Sequence, residues 1–165
     1  MRVADGTWER LARGLYAPVE RGDTPWLSLH EVQRYAPQVA FCLESALAFH
    51  DLTDVRPQAV WLCLARGMRR PKISWVATEF VTVAPDLWQV GVERYETEAG
   101  VLRLTNVART LVDSFRFRRR VGLETALQAL REARARQLVS PAEVLRVARL
   151  FRQERTMLPY IEALG

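Results

Sequence analysis

Cysteine, lysine, glycine and long apolar runs are all scarce in this sequence, and each scarcity excludes a class of protein. Two cysteines cannot form a disulfide framework, so Cys42 and Cys63, both in apolar surroundings, are expected to be buried thiols of a cytoplasmic protein. The longest apolar run, Ala59 to Ala65, is far shorter than the roughly 18 residues that a membrane span needs. The first residues contain no apolar core, so we expect neither a secretory signal nor a membrane partner.

The eight glycines do not fall into the spacings that cradle phosphates in nucleotide-dependent enzymes. A nuclease would need acidic residues around a metal and often a lysine. Asp86 followed by Glu93 or Glu96 superficially matches that layout, but Tyr95 and Glu98 stand where the lysine would be. We therefore expect a protein that is not an enzyme and that needs no cofactor.

The residues that could ligate a metal or act as nucleophiles are few and badly spaced. Cys42 and His50 lie eight residues apart on one predicted helix, which is more than two turns, and no C-x-x-C or H-x-x-x-H pair includes Cys63 or His30. Ser45 and His50 fall on different faces of that helix, and no G-x-S-x-G sequence is present. We therefore expect structural roles for these residues and no metal site.

Positive charge is concentrated in the last third of the chain. Residues 1–100 carry 11 basic and 13 acidic residues, whereas residues 101–165 carry 13 basic and 6 acidic ones, so the net charge of +5 arises in the C-terminal part. Every basic residue except Lys72 is arginine, whose planar fork of donors binds phosphates or carboxylates in pairs. This distribution favours an acidic partner, which is nucleic acid, a nucleotide or an acidic protein surface.

The order of patterns along the chain predicts an α+β fold. Trp8 to Val19 indicates one or two short strands with a bend at Arg13-Gly14, and the polar stretch Glu20 to Pro25 is the expected boundary. Helical spacing of apolar residues follows in Trp26 to Tyr35 and in Val39 to Leu52.

The middle of the chain predicts a small sheet, mixed or antiparallel. Ala59 to Leu64 is a short apolar run, typical of a strand that is covered on both faces. Three further β-rich runs follow it, at Ile73 to Val83, Val90 to Thr97 and Val101 to Leu104. Glu98-Ala99-Gly100 is the expected hairpin turn between the last two.

From Asn106 onward the sequence predicts a run of amphipathic helices that cover the sheet. Thr105 or Asn106 is the expected N-cap of the first helix, whose apolar stripe runs from Val107 to Phe115. Ser140-Pro141-Ala142-Glu143 is a capping box with proline at the first helical position, and Met157 to Leu164 predicts a last short helix.

Basic residues form the one constellation with the chemistry of a binding site. They occur in the turn from Arg66 to Lys72 and on the predicted helices that follow the sheet, where Arg131, Arg134, Arg146, Arg149 and Arg152 recur. Solvated helix faces of an arginine-rich protein are the alternative interpretation. The candidate binding residues are Arg69, Arg70, Lys72, Arg116, Arg118, Arg119 and Arg120.

Five stretches carry a resemblance to a known family. They are RLARGLYAP (Arg10–Pro18), FCLESALAFHDLTD (Phe41–Asp54), VWLCLARGMRRPKI (Val60–Ile73), NVARTLVDSFRFRRRVGLETALQALREA (Asn106–Ala133) and MLPYIEALG (Met157–Gly165). Together they cover most of the chain and resemble, in the same order, the AbiEi family of antitoxins and transcriptional regulators of abortive-infection toxin–antitoxin systems.

The resemblance implies a domain organisation. In the family, an N-terminal winged helix-turn-helix binds operator DNA, and a larger C-terminal domain opposes a nucleotidyltransferase-like toxin. Residues 1–20 look like a remnant of the wing hairpin, in which Arg10 and Arg13 would contact the DNA backbone, and residues 26–165 look like the antitoxin domain. Only seven residues precede Trp8, so the helix that reads bases in the major groove is expected to be missing.

Three functions are compatible with these patterns. The resemblance favours a cytoplasmic antitoxin-type regulator that counteracts a nucleotidyltransferase-like toxin, functionally or by direct contact. A DNA-binding repressor of its own operon, with DNA or RNA as partner, is the first alternative. An enzyme that modifies the toxin by phosphate transfer is the second alternative, although the sequence has no phosphate loop.

Overall fold

The computed structural model describes residues 6–18 and 26–164, and the first of these ranges forms a two-stranded hairpin. β1 (Trp8–Ala12) pairs antiparallel with β2 (Leu15–Pro18). Gly14 turns the chain between them with a φ of +78°, a conformation that costs glycine little, so the predicted bend is confirmed. The predicted boundary at Glu20 to Pro25 lies outside the described residues.

A five-stranded mixed sheet occupies the centre of the second range. Its strands are β3 (Ala40–Phe41), β4 (Val60–Ala65), β5 (Thr78–Val83), β6 (Val92–Thr97) and β7 (Gly100–Thr105). The order across the sheet is β5-β4-β3-β7-β6. β4 runs parallel to β5 and antiparallel to β3, and β3 runs parallel to β7, so the sheet is mixed rather than antiparallel. β6 and β7 form the predicted antiparallel hairpin.

In the described residues, seven helices surround this sheet. They are α1 (Leu27–Tyr35), α2 (Leu43–Phe49), α3 (Val107–Arg116), α4 (Arg118–Val121), α5 (Leu123–Ala135), α6 (Pro141–Leu150) and α7 (Glu154–Ala163). Asn106 caps α3 by accepting from the backbone N–H of Arg109, and Ser140 caps α6 by accepting from that of Glu143. Both caps confirm the sequence-based expectation, and the fold is α+β.

The sheet separates two apolar cores, and β4 contributes to both. All six of its residues are buried, as the continuous apolar run predicts. Leu62 and Leu64 pack with Leu29 of α1 on one face. Trp61 and Cys63 pack on the other face, with the C-terminal helices. Fully burying one such leucine stabilises the fold by about 1.5–3 kcal/mol, so both faces of β4 contribute to stability.

Two predicted elements differ from the structure in extent. The helix expected over Val39 to Leu52 is the strand β3 followed by the shorter helix α2. Ala40 and Phe41 are extended because they pair with β4 on one side and β7 on the other, which periodicity within the segment does not reveal. In the β-rich run Ile73 to Val83, the strand begins only at Thr78, where pairing with Val60 starts.

Candidate binding surface

The basic turn predicted from the sequence packs beside the C-terminal end of α1. Tyr35, Ala36 and Gln38 form one wall of a cavity of about 340 Å³. The opposite wall is the turn segment Arg69, Arg70, Pro71 and Lys72. The ring of Tyr35 is held by an edge-on contact with Trp75, with ring centres 5.1 Å apart. Three exposed cations therefore share one cavity with an aromatic side chain that packs against Trp75.

The hairpin supplies a further cation to a second cavity that Tyr35 also lines. Arg13 and Arg34 line a cavity of about 430 Å³ that also includes Tyr35 and Tyr16. The Tyr35 surface is defined here by residues from the hairpin, α1 and the basic turn: Arg13, Arg34, Tyr35, Arg69, Arg70 and Lys72. Sequence reasoning did not find Arg34 and Tyr35, because their proximity to the turn depends on the tertiary fold.

The three consecutive arginines of α4 have different surroundings. Arg118 donates to the carbonyl oxygen of Phe115 at 2.7 Å. Arg120 forms an ion pair with Glu79 at 2.8 Å and donates to the carbonyl oxygen of Phe80 at 3.1 Å. Arg119 is exposed and has no hydrogen bond or ion pair with any residue that the structure describes. Of the three, only Arg120 is neutralised by an ion pair among the described residues, and Arg119 alone has its whole guanidinium free of such contacts.

The edge strand β5 connects the Tyr35 surface with α4. The guanidinium carbon of Arg70 lies 5.1 Å from the ring centre of Phe80. Arg120 contacts the backbone of the same residue, and its guanidinium carbon lies 4.7 Å from the ring centre of Trp61. Residues 69–72 and 118–120, far apart in sequence, therefore flank one strand.

Two candidate residues lie away from this surface. Arg10 is half-buried, its Nε donates to the carbonyl oxygen of Ala12 at 3.2 Å, and it lines neither cavity beside Tyr35. Arg116 is also half-buried and lies near the rings of Phe117 and Phe151, where it lines a separate cavity. The structure thus brings most of the predicted cations together and separates Arg10 and Arg116 from them.

The histidines and cysteines are engaged in the interior. A nitrogen of His50 donates to the carbonyl oxygen of Thr105 at 2.7 Å, and His30 shares a 2.8 Å hydrogen bond with Thr97. Cys42 and Cys63 are buried free thiols. Among residues 6–18 and 26–164, no three His, Cys, Asp or Glu side chains are grouped so that they could hold a metal.

A buried ion pair in α3 was not anticipated from the sequence. Nε of Arg109 lies 2.9 Å from Oδ2 of Asp113, one turn later, and both side chains are fully buried. Nη1 of Arg109 donates to the carbonyl oxygen of Val90 at 2.6 Å and so ties the loop after β5 to the helix. Complete burial raises the pKa of the Asp113 carboxyl above its usual range, although the charge of Arg109 opposes the shift.

The sequence contains only a weak indication of the Arg109–Asp113 ion pair. Arg109 interrupts an apolar stripe and has a carboxylate at i+4, a spacing that also occurs on solvated helices. Its role is structural, because it joins α3 to the loop that precedes β6 and reaches no exposed surface.

Comparisons with known proteins bring no further constraint. Neither a protein-family model nor a curated protein matches the chain. None of the helices formed by the described residues is long and apolar enough to cross a membrane. The function is therefore inferred from the chain's own residues.

Proposed function

We propose that this protein is a cytoplasmic, AbiEi-like antitoxin that counteracts a nucleotidyltransferase-like toxin. The sequence resemblance supplies the class of partner. The observation that carries the proposal is the Tyr35 surface, where cations from the hairpin, α1 and the basic turn lie around one aromatic ring. A cationic surface of this kind attracts either an acidic face of the toxin or the phosphates of the toxin's substrate.

The availability of the charges supports a role in binding. Arg69, Lys72 and Arg119 are exposed and have no ion pair with any described residue. A cation that already has an internal partner gains little from an external one, whereas these three gain a charge-assisted contact when a carboxylate or phosphate approaches. Arg120 differs, since Glu79 already neutralises it.

The test is rescue of bacterial growth from the toxin. The variant Arg69→Glu/Lys72→Glu/Arg119→Glu reverses the three unpaired charges and breaks no internal ion pair among the described residues. We expect it to fold like the unchanged protein by circular dichroism and to lose neutralisation of the co-expressed nucleotidyltransferase-like toxin.

The control variant reverses three charges on the C-terminal helices, away from the Tyr35 surface. Arg131, Arg146 and Arg155 are exposed on α5, α6 and α7 and have no ion pair with a described residue. The variant Arg131→Glu/Arg146→Glu/Arg155→Glu should still rescue growth. Equal rescue by the two variants would refute the binding role assigned to Arg69 and Lys72 of the Tyr35 surface together with Arg119 of α4.

The position of the hairpin favours operator DNA as a second candidate partner. Arg13, at the turn of the hairpin, lies on the same surface as Arg34 and Tyr35. A wing-like hairpin contacts phosphates. For such contacts the logarithm of the binding constant falls linearly with the logarithm of the salt concentration. In a gel shift with the DNA upstream of its gene, Arg13→Ala should reduce both the affinity and the salt slope. Equal binding to scrambled DNA would exclude operator recognition.

A further inference from the structure

A third cavity lies at the carboxyl ends of the two parallel strands β4 and β5. It has a volume of about 530 Å³, within the roughly 300–1,000 Å³ typical of small-molecule sites. Arg66 follows β4 directly, Asp86 and Leu87 belong to the loop after β5, and Arg152 follows α6. The loops that leave these two neighbouring parallel strands converge at this end, as they do at the ligand sites of open α/β sheets.

Arg116 projects from the end of α3 and lines the same cavity. Its guanidinium carbon lies 5.0 Å from the ring centre of Phe117 and 5.5 Å from that of Phe151. Its Nη1 is shielded from solvent and has no hydrogen-bond partner among the described residues. An unsatisfied buried donor is costly, and a small rotation of the side chain towards the cavity would let a bound oxyanion offer it an acceptor.

Arg152 reaches the cavity from a backbone position that recurs in this protein, since α2 and α5 are also followed by a non-glycine residue at positive φ, Asp51 and Gln137. Arg152 follows the C-cap of α6 and has a φ of +56°. The backbone N–H of Gln153 donates to Ala148 and that of Arg152 to Arg149, which is the Schellman arrangement that usually places glycine at the position of Arg152. An arginine here accepts a strained backbone, and its side chain lines the cavity.

The charges of the cavity are not neutralised internally. Arg66, Arg116 and Arg152 line it together with a single carboxylate, Asp86. Among the described residues, Asp86 forms no ion pair with any of the three arginines. The cavity therefore has an excess of positive charge and donors in the planar geometry that suits an oxyanion.

We propose that this cavity binds a small molecule that bears a phosphate group. Arg66, Arg116 and Arg152 would donate to the phosphate oxygens, and the ring of Phe151 would form an apolar wall beside them. The proposal is independent of the neutralising role proposed for Arg69, Lys72 and Arg119, none of which lines this cavity.

Binding is tested with pyrophosphate, by calorimetry and by differential scanning fluorimetry, at constant ionic strength set with sodium chloride. We expect a saturable heat and a saturable rise in Tm. Arg152→Gly and Arg66→Gln should each weaken pyrophosphate binding about tenfold or more, since each removes a charge-assisted hydrogen bond.

Arg152→Gly separates binding from folding. Glycine suits the positive φ at this position, so this variant should unfold at the same temperature as the unchanged protein or higher while it binds less. Arg131→Gln, on α5 outside the cavity, is the matched control and should bind normally. The absence of a saturable signal, or unchanged affinity in Arg152→Gly, would overturn the proposal.

A second experiment distinguishes a small-molecule phosphate from the backbone phosphates of a nucleic acid. A short single-stranded oligonucleotide without terminal phosphates presents only backbone phosphates. We expect it to compete weakly for the cavity. If instead it binds more tightly than pyrophosphate and loses affinity in Arg152→Gly, the site recognises nucleic acid and the small-molecule assignment is wrong.

Discussion

The guanidinium of Arg109 has a partner at each of its nitrogens. Nε faces Asp113, Nη1 donates to the carbonyl oxygen of Val90, and Nη2 lies 3.7 Å from Sγ of Cys63. The ring centre of Phe151 lies 4.3 Å from its guanidinium carbon. A buried ion pair repays its desolvation only when its remaining polar atoms are satisfied too, and Oδ1 of Asp113 is buried without a hydrogen-bond partner among the described residues.

Removing one member of this pair should be costly. We expect Arg109→Met to lower the free energy of unfolding by about 3–5 kcal/mol, because Asp113 is left buried without its partner. The double variant Arg109→Met/Asp113→Asn should lose less than the sum of the two single losses. Urea unfolding of all four proteins measures the coupling, and additivity within about 0.5 kcal/mol would contradict it.

At the level of residues, the sequence indicated where arginines are concentrated but not which acidic residues they pair with. Arginine-rich composition drew attention to the turn at Arg69 and to α4. It could not reveal that Arg120 pairs with Glu79, 41 residues away, while Arg119 has no such partner among residues 6–18 and 26–164. Pairing depends on where the chain folds, and the local sequence around an arginine does not contain that information.

The loop between β5 and β6 packs closely against the start of α3. A Cβ atom built on Gly91 would lie 2.7 Å from Cβ of Arg109 and 3.0 Å from Oδ1 of Asn106. The backbone N–H of Asn106 also donates to the carbonyl oxygen of Gly91 at 2.7 Å. The N-cap of α3 and the buried arginine therefore both require glycine at this position.

Two glycine substitutions separate the effects of space and backbone strain. Gly91 and Gly67 have φ angles of +71° and +90°, but a Cβ on Gly67 would meet no atom within 4 Å. We expect Gly67→Ala to cost about 1–2 kcal/mol from strain alone. Gly91→Ala should cost about 1–3 kcal/mol more because of the clash. Equal losses of unfolding free energy in urea would show that the close packing at Gly91 is not limiting.

Elements were predicted best where their signal is local. The capping box at Ser140 marks the start of α6, because the hydroxyl and the backbone N–H that it caps are three residues apart. β3 was missed because two residues, Ala40 and Phe41, are extended only through pairing with β4 and β7. Helical spacing in their surroundings gave no indication of this long-range pairing.

For the whole molecule, the protonation state of His50 links the free energy of unfolding to pH. Burial lowers the pKa of His50 below its usual value of 6.5, and Arg136 lowers it further, while the hydrogen bond to Thr105 and the charge of Glu93 oppose the shift. Neutral His50 therefore contributes stability that is complete above about pH 6.5 and is lost as the pH falls through the folded-state pKa.

We expect the free energy of unfolding to decrease between about pH 7 and pH 5, where histidines titrate and most carboxylates do not. His50→Gln keeps a donor near Thr105 but cannot titrate, so its decrease should be smaller. Part of the decrease should persist, because the pKa of His30 is lowered too, by burial and by Arg34. Urea unfolding at each pH measures both slopes, and identical slopes would contradict the assignment to His50.

The hydrogen bond between Arg120 and the outer strand β5 affects whether another chain can pair with this edge of the sheet. β5 is an outer strand, and such strands can template the addition of another chain. Arg120 covers the carbonyl oxygen of Phe80 on this edge. A strand from a second copy would have to displace a charged group before it could pair there. Replacing Arg120 by a side chain without a donor would leave the carbonyl oxygen of Phe80 free to pair with another strand.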